Sequence, residues 1–140
     1  MKRPVNVLVV DDDEEDQEAI RRGFTRLETN SRRLIARDGT EALGILRQSV
    51  PGASRPYLIV LDLNMPQMSG MEFLRELRSD PHLQQNIVFV LTTSDADTDK
   101  CRAYSRNIAG YLDKSKLGTG LEHLVALLEH YSRCIEFPRQ

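Results

Sequence analysis

Short apolar runs alternate with longer amphipathic segments along most of the chain. The runs predict strands, because they are brief, contain β-branched residues and are bounded by polar or turn-forming residues. They cover residues 5–10, 33–37, 57–61, 87–91 and 110–113. Roughly twenty residues separate each strand from the next, which leaves room for right-handed helical crossovers. The pattern predicts an α/β fold in which helices cover both faces of a parallel sheet. Charged flanks place the 33–37 strand at a sheet edge.

The amphipathic segments predict five helices, one after each strand. Three helix starts carry a capping residue followed three positions later by Glu, a spacing that lets each side chain bond to the other's backbone N–H. The pairs are Asp38 with Glu41, Ser69 with Glu72, and Thr119 with Glu122. Another helix begins at Glu14. The helix predicted over residues 95–106 has few apolar residues, so we expect it to dock weakly and to be mobile.

Polar side chains follow the predicted strands at their carboxyl ends. Asp11 and Asp12 follow the first strand, Asp62 the third, Thr92 the fourth and Lys114 the fifth. The carboxyl ends of parallel strands meet at one edge of the sheet, which is where open α/β sheets bind their ligands. We therefore expect these five side chains to lie close together.

Such a cluster favours phosphoryl chemistry with a metal ion. Several carboxylates close together repel one another unless some are protonated or a cation joins them. Mg2+ suits the site, because it is commonly held by one or two carboxylates together with water and phosphate oxygens. Lys114 could neutralise a phosphoryl oxygen and Thr92 could donate a hydrogen bond to one. Asp62 is then left as a nucleophile that could form an acyl phosphate.

Several motifs together resemble the receiver domains of bacterial two-component response regulators. They are the acidic pair after the first strand, the segment LDLNMPQMSG around Asp62, the LTT of the fourth strand and the GYLDK of the fifth. The resemblance covers nearly the whole chain and implies a flavodoxin-like (βα)5 fold with strand order 2-1-3-4-5. Among receivers, the chain is similar to the single-domain type that is associated with bacterial phytochromes.

The resemblance implies the chemistry of the site. Asp62 would be the phosphoacceptor, and Asp12 and Asp62 would bind Mg2+ through their side chains. Asn64 would bind the ion through its backbone carbonyl, and Asp11 would act through water. The only reactions expected are phosphotransfer to Asp62 and its loss from Asp62, so we do not expect an enzyme acting on other molecules.

The resemblance also implies a switch. Thr92 and Lys114 would contact the phosphoryl group, and Tyr111 would turn inward as Thr92 moves. The surface of the fourth helix, fifth strand and fifth helix would then change shape and signal.

The sequence departs from the receiver pattern next to Lys114. Receivers usually have Pro after this lysine, often with a cis peptide, whereas this chain has Ser115. A cis bond before a residue other than proline costs ~3 kcal/mol, so we expect a trans peptide or a differently placed lysine. Asp113 is also unusual, although strand alternation should point it to the opposite side of the strand.

Composition excludes several functional classes. The chain has 140 residues, 19 Lys and Arg, and 21 Asp and Glu. This length suits one domain, and the formal charge of -2 provides no overall basic field to attract DNA or a membrane surface. No apolar run is long enough for a signal peptide or membrane span. Cys101 and Cys134 fit no zinc or disulfide pattern, so we expect free thiols and a cytoplasmic location.

We expect residues 1–129 to form the receiver-like domain and residues 130–140 to form a C-terminal extension, too short for a DNA-binding or catalytic module. Tyr131, Ile135 and Phe137 make this extension apolar. Similar phytochrome-associated regulators use such extensions in dimers, so we expect a homodimer. The resemblance implies a sensor histidine kinase, for instance a bacterial phytochrome, or a phosphotransfer protein as partner. The first helix, with Arg21 and Arg22, should help to select it.

Two other functions stay open. Ser115 in place of Pro is compatible with a receiver-like docking or dimerisation module that works without phosphorylation. A phosphotransferase or phosphatase with an Asp nucleophile, such as those of the haloacid dehalogenase group, fits poorly. Such enzymes need a second Asp two residues after the nucleophile, where this chain has Asn64. The acidic residues 13–16 are expected to form a solvated helix start that complements the helix dipole.

Overall fold

Five parallel strands form one sheet in the order β2-β1-β3-β4-β5 in the computed structural model, which describes residues 5–26, 32–48, 56–65 and 68–136. The strands are β1 (Asn6–Val10), β2 (Arg33–Ala36), β3 (Tyr57–Asp62), β4 (Ile87–Thr92) and β5 (Gly110–Asp113). The flavodoxin-like order and the edge position of β2 are therefore confirmed.

Five α-helices connect or follow the strands within the described residues, as predicted. They are α1 (Glu14–Arg26), α2 (Gly39–Arg47), α3 (Gly70–Ser79), α4 (Asp97–Tyr104) and α5 (Glu122–Cys134). Two short 3-10 turns, Lys114–Lys116 and Thr119–Leu121, lie between β5 and α5. No helix in the described part of the chain has both the length and the apolar character needed to cross a membrane.

The sheet separates two apolar layers. Alternate residues of β1 and β3 point to opposite faces, as the period of a strand requires. One layer joins the sheet to α2, α3 and α4, and the other joins it to α1 and α5. Gly23 allows α1 to approach α5 closely, since a Cβ at this position would lie 2.5 Å from Cγ2 of Val125. The central strands β1 and β3 are fully buried, which explains their continuous apolar sequences.

Two of the three predicted helix caps are present. The backbone N–H of Glu41 donates to Oδ1 of Asp38 at 2.8 Å, and that of Glu72 donates to Oγ of Ser69 at 3.2 Å. The Ser69 cap begins α3 immediately after the loop that follows Asp62.

The predicted cap at Thr119 is wrong. Leu121 occupies the cap position of α5 in a left-handed conformation with φ of 56°, and no side chain caps the helix. Gly118 and Gly120 also have positive φ, at 80° and 61°. These glycines let the chain enter α5 through the 3-10 turn, so the capping sequence is not used.

Helix α4 is shorter than predicted and has little apolar contact. It covers Asp97–Tyr104 instead of residues 95–106, and Ala103 is its one buried residue. Cys101 is exposed, and Tyr104 is 52% exposed. The sparse docking of this helix is confirmed, whereas its mobility stays a prediction.

Arg78 connects α3 to the turns that precede β4 and β5. Its guanidinium donates to the backbone carbonyls of Gln84 and Asn86 at 2.7 and 2.8 Å. It also donates to those of Arg106 and Asn107 at 2.8 and 3.0 Å. One side chain thereby satisfies four carbonyl groups and fixes the chain between α4 and β5.

Helix α5 extends past residue 129 to Cys134, which is exposed and free, as is Cys101. The Tyr131 ring meets that of Phe89 edge to face, with centroids 5.1 Å apart. Ile135 packs against the same apolar layer. Phe137, also predicted to make the extension apolar, lies outside the described residues.

Candidate functional site

The carboxyl edge of the sheet brings the predicted acidic residues and the lysine together. Nζ of Lys114 lies 3.8 Å from Oδ2 of Asp11 and 3.9 Å from Oδ2 of Asp62. Asp11, Asp12 and Asp62 each offer a carboxylate oxygen within 4.8 Å of the others. Residues from the ends of β1, β3 and β5 thus form one cluster, because all three strands run in the same direction.

Asp11 is the most strongly perturbed carboxylate of the cluster. It is fully buried, its Oδ1 accepts the Asp13 N–H at 2.8 Å, and its Oδ2 has no hydrogen-bond partner. Burial raises the pKa of Asp11 to about 8, against the opposing effects of the Asp13 N–H and the charge of Lys114. A buried oxygen without a hydrogen-bond partner beside two other carboxylates indicates that the single charge of Lys114 does not balance the negative charge of the cluster.

Asp62 ends β3 and is also buried, with 5% exposure. Burial raises the pKa of Asp62, while the Asn64 N–H and the charge of Lys114 lower it. The Asn64 N–H donates to Oδ1 at 3.0 Å, so Oδ2 is the oxygen on the Lys114 side. Asn64 and Asp12 are both exposed, which leaves the cluster open to solvent on that side.

The donors fit a hard divalent cation. Three carboxylates face one another, and one buried oxygen has no hydrogen-bond partner. Within the described ranges, no sulfur or imidazole ligand takes part in the cluster. Carboxylate oxygens are the ligands that Mg2+ and Mn2+ prefer in proteins. Asp11, Asp12 and Asp62 are the residues that could hold such an ion.

The sequence interpretation of Asp16 as part of a solvated helix start is wrong. Its Oδ2 lies 2.5 Å from Nζ of Lys114, and its side chain is only 15% exposed. Asp13, Glu14 and Glu15 are exposed, as expected. The helical spacing of the sequence could have identified Asp16 as a residue on the inward face of α1.

Asp16 precedes the buried residues Ile20 and Phe24 by four and eight positions. That spacing places all three side chains on the inward face of α1. Burial alone would lower the pKa of Lys114, but the hydrogen bond to Asp16 and the charges of Asp11 and Asp62 outweigh it and raise that pKa.

Asp113 and Ser115, the two unusual residues beside Lys114, form a single turn. Oδ1 of Asp113 accepts the backbone N–H of Ser115 at 2.9 Å and its hydroxyl at 2.7 Å. These two hydrogen bonds lower the pKa of Asp113. The turn encloses Lys114 and therefore holds its backbone at the edge of the sheet.

Thr92 and Tyr111 are linked through Ser94. Thr92 is fully buried at the end of β4, one position beyond the Leu91 that pairs with Asp62. Its hydroxyl oxygen accepts the Ser94 N–H at 3.2 Å, and the Tyr111 hydroxyl donates to the Ser94 carbonyl at 2.9 Å. The Tyr111 side chain packs against the apolar layer that joins the sheet to α2, α3 and α4, and burial raises the pKa of the Tyr111 hydroxyl.

Ser94 also connects Thr92 and Tyr111 to α4. Its hydroxyl donates to Oδ2 of Asp99 at 2.7 Å, and the backbone N–H of Tyr111 donates to the hydroxyl of Tyr104 at 3.2 Å. The sequence motifs did not identify Ser94 as a residue of the site. Ser94 lies between Thr92 and Tyr111 because β5 is next to β4 in the sheet. No local sequence pattern predicts that two strands are neighbours.

A family model for the response regulator receiver domain matches residues 7–127. Over 129 residues, the chain is 36% identical to the probable methanogenesis regulatory protein FilR2 of Methanothrix harundinacea, covering 91% of this chain and 83% of that protein. It is 32% identical over 130 residues to the response regulator Rcp1 of Synechocystis sp., covering 91% of this chain and 88% of Rcp1.

Two solved structures share the fold along almost their whole length. The crystal structure of the Mn2+-bound form of Rcp1 has a TM-score of 0.84 at 31% identity and covers 97% of this chain and 100% of its own. The phosphorylated cyanobacterial phytochrome response regulator RcpA has a TM-score of 0.83 at 33% identity, covering 94% of this chain and 96% of its own.

Proposed function

Because the chain belongs to the response regulator receiver domain family, we propose that it is a phosphorylation switch in which Asp62 accepts a phosphoryl group from a sensor histidine kinase. The observation that carries this proposal is the position of Asp62. Its carboxylate lies at the sheet edge, with Nζ of Lys114 at 3.9 Å and two further carboxylates beside it. The relative RcpA has been crystallised in a phosphorylated form, which supports the proposal.

The side chains at the carboxyl edge of the sheet account for the transfer. Asp62 attacks the phosphorus atom of a phosphohistidine, and the new O–P bond forms as the P–N bond breaks. The histidine leaves as neutral imidazole, because a proton from solvent balances the electron pair that the nitrogen retains. Lys114 neutralises one phosphoryl oxygen, and the Thr92 hydroxyl donates to another. Asp62 lies against the one cationic side chain that contacts the cluster among the described residues.

We propose Mg2+ as the cofactor, held by the side chains of Asp12 and Asp62 and the backbone carbonyl of Asn64, with Asp11 acting through water. When bound, Mg2+ supplies positive charge that neutralises the transferred phosphoryl oxygens. The unpartnered Oδ2 of Asp11 supports this assignment, because a water molecule on the ion could donate to it. The relative Rcp1 has been crystallised in an Mn2+-bound form, which supports a divalent cation as the cofactor.

The signal passes from Thr92 to the surface of α4, β5 and α5. A phosphoryl oxygen that draws the Thr92 hydroxyl inward also moves Ser94, whose N–H is bonded to it. Ser94 carries the hydrogen bond from Tyr111 and the hydrogen bond to Asp99 of α4. Since α4 buries only Ala103, a small free-energy change is enough to shift its position.

We propose that the partner is a sensor histidine kinase or a phosphotransfer protein in the cytoplasm. The phytochrome association of RcpA makes a bacterial phytochrome a good example of such a kinase. The exposed residues Arg21, Arg22 and Thr25 of α1 would contribute to its recognition. Residues 1–129 would serve as the receiver domain, and residues 130–140 as an arm that joins two copies without binding DNA or a membrane.

Incubation with acetyl phosphate and Mg2+ tests this function. Intact-protein mass spectrometry should show one added phosphoryl group, and the Asp62→Asn variant should show none. Chelation of Mg2+ should abolish the modification. An unmodified wild-type protein would contradict the proposal and support a phosphorylation-independent docking module, and multiple turnover on a phosphate ester would support an enzyme.

A further inference from the structure

Asp16 makes the shortest contact of the ammonium group of Lys114. Nζ lies 2.5 Å from Oδ2 of Asp16, whereas Asp11 and Asp62 are 3.8 and 3.9 Å away. Only the first of these distances is a hydrogen bond. The side chains of Lys114 and Asp16 are 18% and 15% exposed, so solvent screens the pair less than it screens a surface ion pair.

Asp16 and a phosphoryl group on Asp62 need the same cation. An ammonium group has three N–H donors but carries one positive charge, which is most strongly stabilised by an anion in direct contact. A phosphoryl group on Asp62 adds negative charge to a side chain whose Oδ2 lies 3.9 Å from Nζ. The two anions approach Lys114 from different elements, Asp16 from α1 and Asp62 from β3.

We propose that Asp16 is the resting partner of Lys114, and that phosphorylation of Asp62 moves the ammonium group from Asp16 to the phosphoryl group. This inference rests on the proposed function. Asp16 acts through Lys114 and is therefore a positioning residue, not a catalytic one. By stabilising the unphosphorylated state, it opposes phosphorylation and shortens the lifetime of the acyl phosphate.

The exchange also gives α1 a part in the response. In the resting protein, the Asp16–Lys114 pair connects the first turn of α1 to the turn after β5. Once the lysine moves, this connection is broken and the Asp16 carboxylate becomes available at the start of α1. Phosphorylation thereby changes contacts on the α1 side of the cluster as well as on the α4 side.

Beryllofluoride, which binds an aspartate carboxylate as a phosphoryl mimic, provides the test. Its affinity should be measured by fluorine NMR at saturating Mg2+ for the wild type, Asp16→Asn and Glu15→Gln. Glu15 is an exposed neighbour in the same helical turn, so its variant controls for the loss of one negative charge. Asp16→Glu retains the charge and should restore wild-type affinity.

We expect Asp16→Asn to bind beryllofluoride about tenfold more tightly than the wild type, the effect of losing one competing charge-assisted hydrogen bond. Glu15→Gln should stay within about twofold of the wild type. The acyl phosphate of Asp16→Asn should also survive longer. Equal or weaker binding by Asp16→Asn than by Glu15→Gln would overturn the inference, whether or not the variant is less stable.

The structure of the beryllofluoride complex offers a second readout. Lys114 should contact a fluorine atom and lie beyond hydrogen-bond distance of Asp16, and a retained Asp16 contact would overturn the exchange. Binding by the wild type without a change in Asp16→Asn would overturn this inference and leave the proposed function intact. No binding by any of the proteins would overturn both.

Discussion

Asp11 is a carboxylate held in an environment that disfavours its charge. Its Oδ2 has no hydrogen-bond partner, and burial raises its pKa from 3.8 to about 8. A native protein tolerates such a group where its cost in free energy serves a function, which we propose to be the attraction of a divalent cation. The destabilisation caused by the buried Asp11 should therefore be measurable in the metal-free protein.

The metal-free protein should lose stability as the pH rises from about 4 to about 8. In this range the folded protein retains the proton on Asp11, whereas the unfolded chain has released it. Because the folded state binds more protons, the free energy of unfolding falls with increasing pH. Urea unfolding in the presence of a chelator would measure the slope.

The Asp11→Asn variant is the matched control for this slope. It should show a shallower decline and be more stable than the wild type near pH 8, by about 1–3 kcal/mol. Added Mg2+ should stabilise the wild type more than the variant, since the ion binds the ionised cluster. Parallel pH curves for the two proteins would contradict this account of Asp11.

The turn of Asp113 and Ser115 should place Lys114 for reaction. Asp113→Ala removes the acceptor of both Ser115 hydrogen bonds. We expect phosphorylation by acetyl phosphate to slow by about fivefold, because the loss of local hydrogen bonds lets Lys114 adopt other positions. Asp113→Asn keeps an acceptor oxygen and should retain most of the rate. Equal rates for all three proteins would show that the turn does not position Lys114.

At the scale of elements, α4 is joined to the site by few contacts. Its one buried residue is Ala103, and the hydrogen bonds of Ser94 connect it to Thr92 and Tyr111. An element with little buried apolar surface can change position at low cost in free energy. We expect the hydrogen bonds of Ser94 to decide whether that change follows phosphorylation.

The Tyr111→Phe variant should separate the binding of beryllofluoride from the response of α4. Phe keeps the ring that packs on the apolar layer but cannot donate to the Ser94 carbonyl. Beryllofluoride affinity should change by less than about threefold, the effect of one neutral hydrogen bond. Hydrogen exchange in α4 should respond to beryllofluoride less than in the wild type. An unchanged α4 response would exclude the Tyr111 hydroxyl from the switch.

At the scale of the whole molecule, the end of α5 carries apolar residues beside the sheet. Tyr131 and Ile135 pack on the layer shared with α1, yet both remain partly exposed. Their contacts show that the final turns of α5 belong to the packed structure. Removal of residues 130–140 would therefore disturb Phe89 as well as any interface between copies.

We expect the full chain to form a homodimer that a shortened chain forms less well. A chain ending at Cys134 leaves α5 whole and removes six residues, including Ile135 and Phe137. Size-exclusion chromatography with light scattering should give a dimer mass for the full chain and a lower average mass for the shortened one. Monomeric masses for both would contradict a dimerisation arm.

The alternation of apolar and amphipathic segments was sufficient to predict the five strands, the five helices and the edge at which their polar ends meet. These features depend on residues close in sequence and on the common direction of parallel strands. The helix caps at Asp38 and Ser69 also depend only on residues close in sequence. The cap at Thr119 failed because the neighbouring glycines permitted a tighter turn.

The partner of Lys114 was decided by tertiary structure. Asp16 and Lys114 are 98 positions apart, and four acidic side chains at the same edge were candidates for one ammonium group. The choice depends on how closely α1 approaches β5, which in turn depends on the packing of α1 against α5 at Gly23. Sequence determines which charges reach the edge, but distances of a few ångströms between elements determine which of them meet.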